Sequence, residues 1–171
     1  TNKAARMTLL GSAIRKNDYE QVIKICEPGI EATPDALEFY FYLVIAYNQA
    51  EHWDDVLEVS RKALEHVTPE SDKQMVSDFY TIIGDVYHTK KLMKEAYAAY
   101  DSALVYNPSN IGALNNYAYY LSVERRDLDK AEEMSYKTVK AAPNNATYLD
   151  TYAWILFEKG NYAEARIYID D

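Results

Sequence analysis

Apolar side chains recur three or four residues apart along most of the chain, which is the spacing of one face of an α-helix. The pattern is clearest within residues 79–110, where two apolar runs are separated by a basic turn at 89–91. Gly84 stands in the middle of the first run, and Asn107 and Pro108 close the second. The pattern predicts a unit of two amphipathic helices, with small residues where the helices approach each other closely.

The same unit recurs along the chain with a nearly constant period. Each predicted second helix opens on an aromatic or large apolar residue that is followed three positions later by a small or branched one. These opening residues are Tyr19, Trp53, Met93, Leu128 and Tyr162, which lie 34, 40, 35 and 34 residues apart. The period predicts an all-α array of about five helix pairs, in units at about 3–34, 35–69, 77–110, 111–144 and 146–171.

Three places depart from the regular unit. The 40-residue step puts extra residues at 68–77, which predict either an early start of the next helix or a flexible joint between two sub-arrays. Pro28 and Gly29 predict an early end of the second helix. Ile167 and Ile169 leave an apolar stripe on the last helix, so we expect the last unit to be truncated and the natural chain to continue.

The third unit resembles the consensus of the tetratricopeptide repeat (TPR) family in both identity and spacing. The matching residues are Ile83, Gly84, Tyr87, Ala96, Tyr100, Ala103, Leu104 and Pro108. The resemblance extends over nearly the whole chain but is weaker in the first two units, where Val22 and Val56 replace the family's alanine. It implies a right-handed α–α superhelix in which the first helix of each unit lines a concave groove.

The register of the resemblance also implies which side chains face the groove. The candidate groove residues are Phe41, Asn48, Asp85, His88, Asn115, Asn116, Tyr119, Asp150, Trp154 and Glu158. An amide such as Asn115 or Asn116 can pair with the backbone of an extended peptide, and Tyr119 and Trp154 could hold an apolar side chain. For any single aromatic residue, packing between helices is the more ordinary role.

The best-known ligand mode of the TPR family is a carboxylate clamp that grips acidic C-terminal tails with Lys, Asn and Arg. The residues at the matching positions here are Met7, Gly11, Tyr42, Asp78 and Ile82. None has the required side chain, and Asp78 and Asp85 make the centre of the groove acidic. An acidic tail is therefore not expected as the ligand.

The net charge and the cysteine content limit the classes of binding partner and the cellular compartments that fit the sequence. The formal net charge of −9 argues against a nucleic-acid phosphate backbone and against anionic lipid surfaces, and favours a basic or neutral polar protein or peptide. No run approaches the ~18 apolar residues of a membrane span. Cys26 is the only cysteine, so the fold needs no oxidising compartment. We expect the protein to be located in the cytoplasm. A periplasmic location is the alternative if a leader was removed.

No residue pattern indicates catalysis. His52, His66 and His88 have no partners at metal-binding spacing, and the chain contains no Gly-rich phosphate loop or nucleophile elbow. We therefore expect no catalytic, metal or cofactor site. The predicted function is a protein-interaction scaffold that binds a peptide or partner protein in its groove. The alternative is a structural or assembly segment of a larger protein, packing on its flanking regions or self-associating. The sequence leaves the oligomeric state open.

Overall fold

Ten α-helices joined by short turns make up the fold. The computed structural model describes residues 2–169, and no strand occurs among them. The helices are α1 (Lys3–Arg15), α2 (Tyr19–Ala32), α3 (Leu37–Gln49), α4 (Trp53–Leu64), α5 (Lys73–Thr89), α6 (Met93–Tyr106), α7 (Ile111–Val123), α8 (Leu128–Ala141), α9 (Ala146–Glu158) and α10 (Tyr162–Ile169). Within this range, none of the helices combines the length and the apolar character that crossing a bilayer requires.

The helices pack in chain order. The more extensive helix contacts all join a helix to the next one or to the next but one. The contacts that skip a helix join α5 to α7 and α7 to α9, so these odd-numbered helices lie side by side. Such nearest-neighbour packing is typical of a solenoid, in which each repeat buries its apolar face against the adjoining repeats. The predicted all-α array of helix pairs is confirmed.

Each helix pair closes through the same backbone turn. The residue that follows each first-helix cap has a positive φ, and these residues are Asn17, Glu51, Lys91, Arg125 and Gly160; the turn between α7 and α8 has a second one, Asp127. The next amide donates to the carbonyl five residues back, as in Asn161 N to Leu156 O at 2.8 Å. This cap geometry favours glycine, so the four turns without one each carry a cost of about 1 kcal/mol.

Small residues allow the helices to approach closely. A Cβ atom on Gly84 would lie 2.6 Å from Cε1 of Tyr100, so glycine at this position makes room for the Tyr100 ring against α5. Tyr100 itself is completely buried. The alanines at the other predicted small positions of the last three units are equally buried, namely Ala96, Ala103, Ala118, Ala131, Ala153 and, at 3% exposure, Ala165.

The predicted early end of the second helix is wrong. Helix α2 continues through Pro28 to Ala32 and ends where Thr33 caps it, with the Thr33 amide and hydroxyl both donating to the Gly29 carbonyl. Gly29 is buried, and a Cβ atom there would lie 2.8 Å from the ring of Phe39. Proline costs a helix about 3 kcal/mol, and we infer that the packing of α2 on α3 offsets this cost.

The residues added by the long period lie around the start of α5. This helix begins at Lys73 and has 17 residues, whereas α3, α7 and α9 have 13 each. The side chain of Asp72 caps it by accepting hydrogen bonds from the amides of Gln74 and Met75. The division of the chain into the five units stays a prediction.

Candidate functional site

An open cavity of about 470 Å³ lies between α7 and α9. It is lined by Asn115, Tyr119, Thr147, Asp150, Thr151 and Trp154. Both helices are first helices of their pairs, so the cavity lies on the side on which the sequence places the groove. The structure thus brings together four of the ten candidate groove residues: Asn115, Tyr119, Asp150 and Trp154.

Helix geometry explains why these four side chains converge. Asn115 and Tyr119 lie four positions apart on α7, as do Asp150 and Trp154 on α9, and residues at this spacing share one face of a helix. Each helix start is fixed by an asparagine cap. Asn110 accepts a hydrogen bond from the Ala113 amide, and Asn145 accepts one from the Tyr148 amide, both at 3.2 Å.

The two aromatic rings of the cavity are partly exposed to solvent. Tyr119 is 42% exposed and Trp154 is 41% exposed. The Trp154 ring stacks on Phe157, with centroids 6.0 Å apart and planes 22° apart. Half-exposed aromatic rings beside a cavity offer a ligand both apolar area and a π face.

Two side chains of the cavity, Asn115 and Asp150, have no hydrogen-bond or ion-pair partner among residues 2–169. Asn115 is only 8% exposed, yet its Oδ1 accepts no hydrogen bond from residues 2–169. Leaving a buried polar group unpaired costs about 1–3 kcal/mol. Asp150 is exposed and forms no ion pair within the same range. The carboxylate of Asp150 is therefore open to a ligand, whereas Oδ1 of Asn115 borders the cavity but is itself covered.

A polar cluster lies one unit before the cavity, and its side chains are hydrogen-bonded to one another. The carboxylate of Asp85 accepts hydrogen bonds from the Tyr100 hydroxyl and from Nδ2 of Asn116, the latter at 3.0 Å. Burial raises the pKa of Asp85, while these two hydrogen bonds and the nearby His88 act in the opposite direction. The cluster ties α5 to α6 and α7, so Asp85 and Asn116 are occupied by each other.

His88 adjoins this cluster and is held by stacking. Its ring lies on that of Tyr120, with centroids 3.4 Å apart and planes 12° apart. Burial lowers the pKa of His88, and the charges of Asp85 and Glu124 oppose that shift. The neutral ring is thus the form that packing favours.

Comparison with known proteins agrees with this geometry. Residues 77–110 match the family model described as tetratricopeptide repeat. The chain thus carries a tetratricopeptide repeat at these residues, and its fold is that of TPR proteins. No curated protein matches it in sequence.

Several solved structures share the fold of this TPR protein. A structure reported in the functional characterization of Pseudomonas aeruginosa PilF superposes with a TM-score of 0.78 at 20% identity, covering 97% of this chain and 72% of that one. MamA from Desulfovibrio magneticus RS-1, from residue 41 to its end, gives 0.77 at 15% identity, covering 97% and 90%. YrrB, described as a TPR protein with an unusual peptide-binding site, gives 0.72 at 17% identity, covering 99% and 84%. At these identities the likeness shows the fold.

Three candidate groove residues of the TPR protein lie outside both clusters. Phe41 packs edge-on against Phe79, with centroids 5.3 Å apart. Glu158 pairs with Nε of Arg125 at 3.4 Å. Asn48 is half-buried and has no side-chain hydrogen bond to the rest of the 2–169 range. Their part in binding stays a prediction.

Sequence reasoning missed two residues of the cavity, Thr147 and Thr151. They lie four positions apart on the first turns of α9, and the Thr151 hydroxyl donates to the Thr147 carbonyl at 3.0 Å. The groove register singles out Asp150 and Trp154, but Thr151 directly follows Asp150 and shares the cavity with it. A search of α9 for polar residues beside the predicted positions would have found it.

The side chains that could bind a metal ion, and the thiol of Cys26, indicate no reactive site in the described part of the chain. Across the described part of the chain, no three His, Cys, Asp or Glu side chains gather in a way that could hold a metal ion. Cys26 is buried, and burial together with the charge of Glu27 raises the pKa of its thiol to about 12. Such a thiol is a poor nucleophile at neutral pH.

Proposed function

We propose that this TPR protein is an interaction scaffold that binds an extended segment of a partner protein in its concave groove. The cavity between α7 and α9 is the main contact. One observation carries the proposal: two half-exposed aromatic rings, Tyr119 and Trp154, flank a buried amide that has no partner in the described part of the protein. A bound segment would satisfy the amide and cover the rings.

The cavity suits an extended segment because of how Asn115 can bond. Its amide offers one acceptor and two donor hydrogens, and the C=O and N–H of a peptide group supply the complementary pair. Rotation about the last side-chain bond of asparagine is soft, so either end of the amide can turn to the ligand. The aromatic rings then act as anchors for the side chains of the segment.

Two further observations support a protein partner of basic or neutral character. YrrB, which has the same fold, is described as carrying an unusual peptide-binding site. The chain here has a formal net charge of −9, and Asp150 brings an exposed carboxylate to the cavity. Like charges across an interface are costly, so an acidic segment fits poorly.

The proposal is tested by capturing partners from native extract with the wild-type chain and with a triple variant, Asn115→Ala, Tyr119→Ala and Trp154→Ala. We expect the triple variant to lose the specific partners identified by mass spectrometry while its circular dichroism stays that of the wild type. Tyr136→Ala is the matched control, because Tyr136 is 48% exposed but lies on α8, outside the cavity. An unchanged set of captured proteins would contradict the proposal.

Helix α10 favours a second candidate, an assembly segment that packs on another copy of the chain. Tyr162 and Ile169 lie seven positions apart on one face of this helix and are 59% and 62% exposed. Apolar side chains exposed on one face mark interaction surfaces. Light scattering over a range of concentrations would show a dimer that Ile169→Glu abolishes. A mass of 19.7 kDa at every concentration would exclude self-association.

A further inference from the structure

We propose that the cavity between α7 and α9 takes an arginine side chain of the bound segment. The inference rests on the proposed function and names the chemistry of its ligand. Of the six residues that line the cavity, one is charged, Asp150, and its charge is negative. A cation is therefore the complementary partner.

An apolar side chain alone would suit this cavity poorly. It would cover the Asn115 amide, whose Oδ1 already lacks a donor, and would remove water from the carboxylate of Asp150. A buried polar or charged group without a hydrogen bond is strongly disfavoured. The occupant must therefore bring hydrogen-bond donors as well as surface for the aromatic rings.

Two cations that follow the ends of the helices lining the cavity are engaged elsewhere. Lys159, which follows the end of α9, pairs with Asp129 at 2.7 Å and also with Glu132 of α8. Arg125, at the turn after α7, pairs with Glu158. Neither pairs with Asp150, so the negative charge of the cavity stays uncompensated within residues 2–169 and is open to a cation from outside.

Arginine meets the requirements better than lysine. Its guanidinium is planar, carries five N–H donors, is weakly hydrated and stacks on aromatic faces. The cavity offers the half-exposed rings of Tyr119 and Trp154. The side-chain oxygens of Asp150 and Thr147 are exposed beside them. The Asn115 amide can rotate to bring its covered Oδ1 to a donor. A lysine ammonium presents three donors at one point and is more strongly hydrated, so it gains less from the rings.

The test uses short Gly/Ser peptides with one central guest residue, which is Arg, citrulline, Lys, Leu or Tyr. Binding is followed by NMR through the indole N–H signal of Trp154, and a Trp53→Phe background removes the other tryptophan. We expect the Arg peptide to bind about tenfold more tightly than the citrulline peptide, which has a similar shape without the charge. The Lys peptide should lie between these two.

Two variants locate the preference. Asp150→Asn should reduce the advantage of Arg over citrulline from about tenfold to about threefold, because the carboxylate no longer meets the charge. Glu133→Gln is the matched control. It removes one negative charge from an exposed position of α8 that lies outside the cavity, and the preference should not change.

Failure of this inference is distinguishable from failure of the proposed function. Equal or tighter binding of the Leu, Tyr or citrulline peptide at Trp154 would overturn the arginine inference while the groove stands. If none of the five peptides binds at Trp154 while the triple variant still fails to capture natural partners, the arginine inference is also overturned. If capture is unaffected by the triple variant, the groove itself is refuted.

Discussion

Two neighbouring asparagines on α7 have opposite environments. Asn116 donates to the carboxylate of Asp85 at 3.0 Å and closes a cluster between α5, α6 and α7. Asn115 lines the cavity next to α9 and has a buried oxygen without a donor among the described residues. The groove register assigns both side chains to the same surface. The residues contributed by neighbouring helices decide whether that surface is closed by internal bonds or left open.

The repeat shows why one junction closes and the next does not. The turn residues Lys91, Arg125 and Gly160 place equivalent positions 34 and 35 residues apart. The pair Asp85 and Asn116 between α5 and α7 therefore corresponds to Tyr119 and Thr151 between α7 and α9. Tyr119 and Thr151 form no hydrogen bond with each other, and both line the cavity. The same backbone thus gives a structural cross-link in one place and an open cavity in the other.

The largest expected difference between the two junctions is in stability. Tyr100 is completely buried and donates to Asp85, so Tyr100→Ala should lower the free energy of unfolding by about 3–5 kcal/mol. Tyr119 is 42% exposed, and Tyr119→Ala should cost less than about 1 kcal/mol. Urea denaturation followed by circular dichroism measures both.

If Tyr100→Ala does not fold, Tyr100→Phe gives the same comparison on a smaller scale. It keeps the ring and removes only the hydroxyl that Asp85 accepts, at a cost of about 1–2 kcal/mol. Similar losses for the Tyr100 and Tyr119 variants would mean that the α7–α9 junction is as much a part of the core as the α5–α7 junction.

A smaller difference should separate the two asparagines. Asn116→Ala removes a hydrogen bond to a half-buried carboxylate and should cost about 2 kcal/mol. Asn115→Ala removes an amide without a partner in the described range, and its cost should stay within about 0.5 kcal/mol. Both positions lie in the middle of α7, so the gain in helix propensity cancels in the comparison. A larger loss for Asn115→Ala would show that its amide is bonded within the folded protein.

Much of the fold could be predicted from the sequence because the repeat multiplies weak signals. Single alanines such as Ala96 and Ala131 say little, but their recurrence near every 34 residues marks the helix contacts, and both are fully buried. Pro28 shows the limit of local reasoning. Its intrinsic cost predicts a helix end, whereas packing of the adjoining Gly29 against Phe39 is a tertiary contact that sequence spacing does not reveal.

The candidate site could be predicted only in part, for a related reason. Register gives the side of a helix on which Asp85 and Asp150 lie, since side-chain direction follows from helix geometry. It does not give the hydrogen-bond partner, which depends on which residue of another helix comes within about 3 Å. Asp85 meets Tyr100 and Asn116, and Asp150 meets no such donor within residues 2–169. The predicted acidic centre of the groove is thus largely bonded internally.

The smallest expected effect is on the pH dependence of stability, and its sign reports whether burial or hydrogen bonding dominates the pKa of Asp85. Burial raises the pKa of Asp85 in the folded state, so the folded protein keeps this proton at pH values where the unfolded chain has lost it. The stabilising contribution is therefore full below the ordinary aspartate value of about 4 and is lost as the pH rises through the raised folded value.

This dependence is measured as the difference in free energy of unfolding between Asp85 and Asp85→Asn proteins. Both carry His88→Gln, because the lowered pKa of His88 gives the opposite trend, with stability lost as the pH falls below about 6.5. The difference should decline as the pH rises from about 3 and then level off above the folded pKa of Asp85. A difference that grows over this interval would mean that hydrogen bonds from Tyr100 and Asn116 outweigh burial. The α5–α7 junction would then hold an ionised carboxylate that its hydrogen bonds stabilise, whereas the exposed Asp150 of the cavity has no such bonds within residues 2–169.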